Sequence, residues 1–473
     1  VAVGDSKGTL TGVYNGVWNV SLNNLPGCDA GIPTNSLGAG NALDFDGFDD
    51  HVSVSKNPIL EIAQNITCEG WVYARSLQQW ESFLNYCQDN GSNESGFDFA
   101  YVDGALRFRL TTVDMGGNDW NDNPGFDIPL NEWVHVAGTY DGSVIKMYVN
   151  GQLAQQENKT GVIDWEFKPV EMRIGGYIDD NELYYWDGRV DEVRVWNVAR
   201  TEDQIRQGMC RRLTGQENGL VSYYRLDERV GTTVYDLSPN LFHGEMGDMA
   251  PAQDRVVSGA GIGDTSVYVY SADLSNSTLG YSAAGQSAIS VSGISGPAAG
   301  MQLYAVSGAP ANSSSLDLVP GTDVHYGIVP ARAAGVNYNL QWTYGGNANA
   351  EAQENALFLA TRKNAEGTLW TNAVAGLNTA LNNLTKDALS GRKEVVLALA
   401  DPNACPFLSQ IDQTDTTFST VTLEWLNAGI GAHLEWGPVG FELSKGQDEG
   451  LVTSPFTIDS LTANTRYDAY FQV

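Results

Sequence analysis

The stretch WVHVAGTYDGSVIKMYVNGQL, residues 133–153, predicts strands joined by two tight turns. Val134 and Val136 alternate with polar neighbours, which is the period of a half-buried strand. Asp141-Gly142 and Asn150-Gly151 lie on either side of a further apolar run. Both dipeptides supply the positive φ angles that a type I′ hairpin needs. The stretch therefore predicts successive antiparallel strands and an all-β domain around them.

The composition agrees with an all-β protein of several domains. The chain has 473 residues, which favours about three domains, and its 52 glycines suit a turn-rich architecture. The formal net charge of −31 argues against binding to nucleic acid or to an anionic membrane surface. No run of 18 apolar residues is present, so no membrane insertion is expected. Such a chain fits an extracellular, cell-surface protein.

Three units are expected along the chain. Residues 1–250 contain many short strands separated by turn signals, and Thr201 with Gln204 predicts a capping box before one short helix. Residues 254–400 form a second unit that is low in charge and rich in Ser, Ala and Gly. Residues 404–473 follow the proline-containing linker DPNACPF as alternating strands.

Four segments in the first unit resemble laminin-G-like domains of bacterial surface proteins, which have the concanavalin A-type jelly-roll fold. The segments are ALDFDGFDDHVSV, EGWVYARS, WVHVAGTYDGSVIKMYVNGQ and GRVDEVRVWNVART. They occur in the order that the family requires and span most of residues 1–250. The resemblance implies a concanavalin A-like jelly-roll sandwich in this unit.

The other two units also resemble known β-sandwich modules. The middle unit is similar to modules of large Bacteroidetes surface proteins that leave the cell by type IX secretion. The last unit resembles a fibronectin type III domain, with Leu461 and Tyr467 offered for a tyrosine corner, truncated by about one strand at Val473. The expected fold is therefore all-β, a jelly roll plus two further β-sandwich modules in tandem. Further modules of the same polypeptide are expected on both sides.

The aspartates of DFDGFDD suggest a metal site in the laminin-G-like domain. The resemblance implies that this loop lies near the strand of VDEVRVW, and Ca²⁺ binds six to eight oxygens in flexible geometry. We expect Ca²⁺ as cofactor, held by Asp46, Asp49, Asp191 and the carbonyl of Gly47. The alternative is a simple turn whose aspartates face water.

Three acidic, Asn-rich loops suggest a ligand-binding rim. Aromatic faces stack on sugars, while amide and carboxylate groups bind the hydroxyls. The alternative is that Asn and Asp are abundant there because turns favour them. The candidate ligand-binding residues are Asp89, Asn90, Asn93, Asp114, Asp119, Trp120, Asp122, Asp179, Asp180, Asn181 and Trp186.

The five cysteines match no zinc-binding spacing. We expect a Cys68–Cys87 disulfide between adjacent strands and a Cys28–Cys210 disulfide between the two ends of the domain. The alternative is free, buried thiols, because spacing alone does not determine connectivity.

No catalytic motif is present, so the protein is expected not to be an enzyme. The glucanases that share this fold use a Glu-x-Asp-x-x-Glu set, which the sequence lacks, and its five histidines are scattered. The leading hypothesis is a fragment of a large surface adhesin that binds an extracellular carbohydrate or surface protein with calcium. The alternatives are a structural stalk without a ligand and a non-catalytic accessory region of a secreted polysaccharide-degrading enzyme.

Overall fold

The strands predicted from residues 133–153 are present in the computed structural model of the chain. Trp133–Tyr140, Val144–Val149 and Gln152–Asn158 pair as successive antiparallel strands. Asn150 and Gly151 both have positive φ, 46° and 71°, as a type I′ turn requires. Every residue of the first strand is buried, so both of its faces are covered.

The structure describes most of the chain, with gaps. The described residues are 13–14, 17–18, 38–89, 94–113, 124–167, 169, 171–178, 182–282, 288–297, 299–314, 316–322, 324–331, 335–400, 409–416, 419–426, 432–439, 441, 445–453, 455–462, 465 and 467–472.

The strands of the first part of the chain end at Val257. They are β1 (Val13–Tyr14), β2 (Val17–Trp18), β3 (Asn41–Asp46), β4 (His51–Ser55), β5 (Ile66–Ala74), β6 (Ser82–Asp89), β7 (Glu94–Val102), β8 (Ala105–Leu110), β9 (Gly125–Phe126), β10 (Trp133–Tyr140), β11 (Val144–Val149), β12 (Gln152–Asn158), β13 (Glu171–Ile174), β14 (Gly176–Ile178), β15 (Leu183–Tyr185), β16 (Asp187–Trp196), β17 (Leu220–Tyr224), β18 (Thr233–Val234), β19 (Gly244–Gly247) and β20 (Arg255–Val257).

Two sheets of eight strands each form the first sandwich. The first sheet has the order β12-β11-β10-β5-β16-β3-β20, with β17 alongside β16. The second has the order β18-β19-β4-β13-β6-β7-β8-β9. Large apolar side chains from both sheets, among them Phe45, Phe99 and Trp186, fill the space between them. The all-β, concanavalin A-like expectation is confirmed, and β20 places residues 255–257, beyond the expected limit of 250, in the first sandwich.

The remaining strands form a second sandwich and a smaller third unit. They are β21 (Thr265–Tyr270), β22 (Leu279–Ser282), β23 (Ala288–Ser295), β24 (Gly300–Ser307), β25 (Asp317–Leu318), β26 (Val324–Pro330), β27 (Asn337–Thr343), β28 (Leu357–Arg362), β29 (Thr371–Asn372), β30 (Gly376–Asn378), β31 (Asn383–Ser390), β32 (Lys393–Leu399), β33 (Ser409–Thr416), β34 (Val421–Leu426), β35 (Ala432–Pro438), β36 (Gln447–Val452), β37 (Phe456–Ile458) and β38 (Tyr467–Gln472).

These later strands also pair as sandwiches. In the second sandwich, a sheet of order β21-β24-β26-β32-β28-β29, with β25 beside β32, faces one of order β22-β23-β27-β31-β30. The third unit has two sheets of three strands, β33-β34-β37 and β36-β35-β38. There the hydroxyl of Tyr467 accepts a hydrogen bond from the Thr462 N–H at 2.9 Å, a backbone contact of the kind expected for this tyrosine.

Helices are few and short. The predicted capping box is present: the Thr201 hydroxyl accepts from the Gln204 N–H, and the Gln204 side chain accepts from the Thr201 N–H. No helix of the described residues is long and apolar enough to cross a membrane. The helices are α1 (Glu202–Met209), α2 (Pro251–Asp254) and α3 (Ala348–Glu351), with 3₁₀ turns at Pro58–Leu60 and Glu354–Ala356.

The second sandwich packs against the outer face of the first sheet. Trp71 and Trp133 of the first sandwich share a buried cluster with Tyr304 and Val329 of the second. The Asn150 side chain donates to the Ala331 carbonyl at 3.1 Å, across the same junction. This face of the first sheet is therefore occupied by the protein itself.

A fully buried charge network lies on the same outer face, beside α1. Glu69 accepts hydrogen bonds from the Arg200 guanidinium at 2.6 Å and from the Trp196 indole at 3.0 Å. Burial alone would raise the pKa of Glu69, but Arg200 and Arg194 outweigh it and hold that pKa below its ordinary value. Burial also lowers the pKa of His135 to about 3, so this ring is neutral. We call these residues the Glu69 network.

The expected Cys68–Cys87 disulfide is not formed. Cys68 is a free thiol in the core and lies on β5 of the first sheet, whereas Cys87 lies on β6 of the second sheet, against Tyr177. Strands that follow one another in sequence belong here to opposite layers, which separates the two sulfurs. Cys210 is a free buried thiol at the junction between the sandwiches, and its expected partner Cys28 lies outside the described residues.

Candidate functional site

The turn between β3 and β4 brings three aspartates together. One carboxylate oxygen of each of Asp46, Asp49 and Asp50 lies within 4.8 Å of the others. Two of the three, Asp46 and Asp49, were predicted metal ligands, while Asp50 was not. We call residues 46–50 the acidic loop.

Short hydrogen bonds fix the shape of the acidic loop. Asp46 Oδ1 accepts from the Phe48 N–H at 2.8 Å, and Asp50 Oδ2 accepts from the Asp46 N–H at 3.0 Å. Gly47 has φ of 78°, and a Cβ on it would lie 2.8 Å from the Cβ of Asp187. Glycine is therefore required where the loop passes the start of β16.

The carboxylates of the acidic loop face one another without a cation. None of the ion pairs found among the described residues includes Asp46, Asp49 or Asp50. Burial raises the pKa of Asp50 to about 6, and the negative charges of Asp46, Asp254 and Asp49 act in the same direction. Hard oxygen donors at this spacing match the ligand chemistry of Ca²⁺.

The structure does not bring Asp191 to the acidic loop. In the ladder between β16 and β3, Asp187 lies opposite Asp46, and Asp191 is four residues further along. At about 3.3 Å per residue this separation is on the order of 13 Å. Asp191 instead accepts a hydrogen bond from Ser258 at 2.6 Å, and burial raises its pKa well above the ordinary value. The expected position of Asp191 is thus corrected, because strand register places Asp187 beside the loop.

The outer face of the second sheet carries a row of polar side chains. Register places Ser53, Arg173, Asn85, Asp98 and Arg109 side by side on five neighbouring strands. Asp98 and Arg109 form a buried, two-contact ion pair, and the Asn85 amide donates to the Gly176 carbonyl at 2.6 Å. The second sandwich packs on the other sheet, but Asn85, Asp98 and Arg109 are nevertheless buried, and Ser53 and Arg173 are half-buried.

An aromatic patch lies beside this polar row. Tyr184, on the β14–β15 hairpin, stacks on Tyr177 with ring centroids 6.1 Å apart. Trp80, which is 37% exposed, lies 6.5 Å from Tyr184 and has the Arg109 guanidinium 5.2 Å from its ring centroid. We call Trp80, Tyr177 and Tyr184 the aromatic patch.

The aromatic patch and the acidic loop are linked by one short segment. Tyr185 follows Tyr184 and lies 6.3 Å from the ring of His51, which comes directly after the acidic loop. Two residues later, Asp187 contacts Gly47 and accepts from the side chains of Arg75 and Ser76 at 2.7 Å. Residues 185–187 therefore lie next to both the acidic loop and the aromatic patch.

Most residues of the predicted ligand-binding loops lie outside the described residues, and their flanks meet at one end of the second sheet. β6 ends at Asp89, and β7 and β8 are paired so that Phe97 lies opposite Leu110. β14 contacts β6, with Tyr177 against Cys87. Asp89 ends a described strand, but its side chain is not described; Asn90, Asn93, Asp114, Asp119, Trp120, Asp122, Asp179, Asp180 and Asn181 lie outside the described residues.

Trp186 is a core residue and not a surface ligand-binding residue. It is fully buried, and its ring lies edge-on to Phe83 at 5.9 Å. Leu183, Tyr184 and Tyr185 before it remain at least partly exposed. The alternation along β15 and into β16 therefore points Trp186 inward. Tyr184 and Tyr185 supply the partly exposed aromatic surface of this segment.

Sequence reasoning missed Asp50, Trp80 and the Asp98–Arg109 pair. Asp50 stands in the same run as Asp46 and Asp49, so the density of carboxylates was a usable signal. Trp80 has a positive φ of 74° and lies in a loop, where no periodic pattern marks it. Asp98 and Arg109 become neighbours only through the register of β7 and β8.

Comparison with known proteins agrees with this fold. Residues 45–206 match the family model of laminin-G type that is described as the concanavalin A-like lectin/glucanases superfamily. These residues thus form a concanavalin A-like domain within the longer chain.

Particular relatives cover only parts of the chain. Pappalysin-1 of Mus musculus is 28% identical over 143 residues, which are 29% of this chain and 8% of the relative. The chain therefore spans a small part of that protein's length. The solved structure of a candidate carbohydrate binding protein from Bacteroides ovatus is 22% identical over 49% of this chain and 63% of that chain, with a TM-score of 0.38. A pentraxin from Limulus polyphemus is 17% identical over 36% of this chain and 81% of that chain, with a TM-score of 0.26.

Proposed function

We propose that the first sandwich is a calcium-dependent carbohydrate-binding domain of an extracellular surface adhesin. The observation on which this rests is the aromatic patch on the outer face of the second sheet, where Trp80 is exposed and Tyr184 is half-buried, joined to the acidic loop by residues 185–187. The domain would bind and would not catalyse, and the other two units would hold it away from the cell surface.

Calcium fits the acidic loop by charge and by donor type. Asp46, Asp49 and Asp50 would supply carboxylate oxygens, and backbone carbonyls and water would complete a coordination of six to eight oxygens. A bound cation would offset the negative charges of Asp46, Asp254 and Asp49, which add to burial in raising the pKa of Asp50. It would also fix the loop against Asp187, and so hold Tyr185 and the aromatic patch in one arrangement.

A sugar fits the aromatic patch and the polar row beside it. The partly exposed faces of Trp80 and Tyr184 can stack on the C–H side of a sugar ring. Asn85, Asp98 and Arg109 are buried and already paired, so Ser53 and Arg173, which are half-buried, would be the members of the polar row that orient such a ligand. This arrangement favours a carbohydrate over a flat apolar partner.

Glycan-array binding of the whole chain, with calcium and with a chelator, tests the proposal. We expect binding to specific glycans in calcium, and a loss of about tenfold or more in affinity for Tyr184→Ala or after chelation. Tyr470→Ala is the matched control, because Tyr470 is 41% exposed but lies in the third unit. Equal binding by Tyr184→Ala and the parent protein, or no glycan binding in calcium, contradicts the proposal.

A structural stalk remains a second candidate because the junction between the first two sandwiches is rigidly packed. Trp71 and Tyr304 are buried there, and Glu366 of the second sandwich accepts from Arg189 and Trp133 of the first at 2.9 and 2.7 Å. A stalk subunit would self-associate and bind no glycan. Sedimentation over a range of concentrations separates this candidate from a monomeric binding module.

A further inference from the structure

A second possible binding site lies away from the aromatic patch, between the two sandwiches. A cleft of about 910 Å³ opens between the β9–β10 and β11–β12 connections of the first sandwich and the ends of β26, β28 and β32 of the second. This volume is within the range of pockets that hold small ligands. The contacts of Glu366 and Asn150 across the junction hold its two walls together.

The wall supplied by the second sandwich carries three cations without a carboxylate partner. Lys363, Arg392 and Lys393 line the cleft, and no ion pair found among the described residues includes them. The whole chain has 26 Lys and Arg against 57 Asp and Glu, so most cations have acids available to pair with. Three uncompensated cations on one wall therefore point to an anion from outside the chain.

Strand register places two of these cations next to each other. β28 and β32 pair Arg362 with Glu394, which ion-pair at 2.7 Å. Lys363 follows the end of β28 and Lys393 begins β32, so both lysines adjoin this last pair of the ladder. Like charges close to each other repel. An anion between the two lysines would remove this repulsion.

Arg392 adds a third positive group at the same place. Its guanidinium lies 5.3 Å from the ring centroid of Trp71, and its Nε and Nη2 are buried without an acceptor. An unsatisfied, buried N–H group of this kind costs stability. By contrast, the buried guanidinium of Arg194 has the Glu192 carboxylate at 2.6 Å.

The opposite wall carries aromatic rings and amides, and two acids, Asp127 and Glu132, also line it. The rings of Tyr73 and Trp133 lie 5.9 Å apart and both line the cleft, as does Asn131. The third acid of the lining, Glu366, is already engaged by Arg189 and Trp133. A ligand with a ring to contact Tyr73 and Trp133 and an acidic group for the lysines matches both walls.

We propose that this cleft binds an anionic oligosaccharide, with the charge of a carboxylate or sulfate group bound by Lys363, Lys393 and Arg392. The site is independent of the aromatic patch and of the acidic loop.

Calorimetry of the whole chain in chelator tests this site, with trigalacturonic acid, a heparin-derived tetrasaccharide and neutral maltotriose as probes. We expect binding of one or both anionic probes and none of maltotriose. Preference for trigalacturonic acid assigns a carboxylate ligand, and preference for the tetrasaccharide assigns a sulfate ligand. No binding of either anionic probe at about 1 mM, or equal binding of maltotriose, overturns the proposal.

Variants separate this site from general charge and from the proposed glycan-binding face. Lys363→Gln with Lys393→Gln is expected to weaken binding about tenfold or more. The control Lys56→Gln with Lys386→Gln removes the same charge elsewhere and leaves binding unchanged. Tyr184→Ala also leaves it unchanged, so failure of this site and failure of the proposed function are distinguishable. Equal weakening by the control pair, with normal thermal unfolding of both variants, overturns the proposal.

Discussion

Two groups of carboxylates in the first sandwich differ in what faces them. In the Glu69 network, a carboxylate with no solvent exposure accepts hydrogen bonds from Arg200 and Trp196. In the acidic loop, Asp46, Asp49 and Asp50 face one another and no cation of the described residues pairs with them. The first group has cationic partners within the chain, whereas the second is suited to an ion that the chain does not supply.

The difference shows how to interpret a net charge of −31. In a chain so rich in acidic residues, a surface carboxylate without a cationic partner is common and does not by itself indicate a binding site. The lack of a cationic partner is informative where a carboxylate is buried, or where backbone hydrogen bonds hold several carboxylates close together, as in the acidic loop. The predictions below test whether these two groups really differ.

Removing one carboxylate from each group is expected to give the largest contrast. Glu69→Ala should lower the free energy of unfolding by about 3 kcal/mol or more, because it leaves Arg200 and Arg194 buried without this partner. Asp49→Ala, measured in chelator, should change it by less than about 0.5 kcal/mol. Urea unfolding of both variants measures the contrast. Equal losses would show that the acidic loop is also a completed structural contact.

Calcium is expected to stabilise the protein through the acidic loop alone. At a free concentration about 100 times its dissociation constant, calcium should add about 2.7 kcal/mol to the free energy of unfolding. Asp49→Asn should remove this gain, and Glu69→Gln should retain it. Thermal unfolding with calcium and with chelator gives the measurement. An unchanged midpoint, with no calcium found by elemental analysis of the purified protein, would exclude the site.

Features set by neighbouring residues were predictable from the sequence. The turns at Asp141-Gly142 and Asn150-Gly151, the capping box of α1, and the closeness of Asp46 to Asp49 all depend on a few consecutive residues. Each has a local physical cause, such as positive φ or an N-terminal hydrogen bond, that the sequence displays directly.

Contacts that depend on strand register, or on which of the two sheets a strand belongs to, were not predictable from neighbouring residues. Asp191 missed the acidic loop because a shift of four residues along β16 puts Asp187 there instead. Cys68 and Cys87 were expected on adjacent strands, but the chain crosses between the two sheets after β5. The cleft between the sandwiches needs two units to be placed together, which no single segment reveals.

Glu81 provides an intermediate case, a buried carboxylate without a cation. Burial raises its pKa to about 7, and the charge of Asp187 acts in the same direction. The folded state therefore holds this proton more tightly than the unfolded state, whose carboxyl has an ordinary pKa near 4.5. The contribution of protonated Glu81 to the free energy of unfolding is greatest below about pH 4.5 and is lost as the pH rises from there to above 7.

Replacing Glu81 should therefore matter more in base than in acid. Glu81→Gln is expected to raise the free energy of unfolding by about 1–2 kcal/mol at pH 8, and by less than half of that at pH 5. Exposed Glu157→Gln is the control and should show no such difference. Urea unfolding across this pH range decides the matter. A gain for Glu81→Gln that is the same at both pH values would mean that its charge is not the cause.

The smallest effect is expected at Phe48, the exposed tip of the acidic loop. Phe48 is 76% exposed, and what it gives to the loop is its backbone N–H, which donates to Asp46. Phe48→Ala keeps that N–H and removes a ring that is mostly exposed, so little buried apolar surface is lost. The free energy of unfolding should therefore change by less than about 0.5 kcal/mol. The gain from calcium should persist, as measured by thermal unfolding. If the gain disappeared, the aromatic ring and not the backbone N–H would shape the metal site, and the acidic loop would depend on side-chain contacts, as the Glu69 network does.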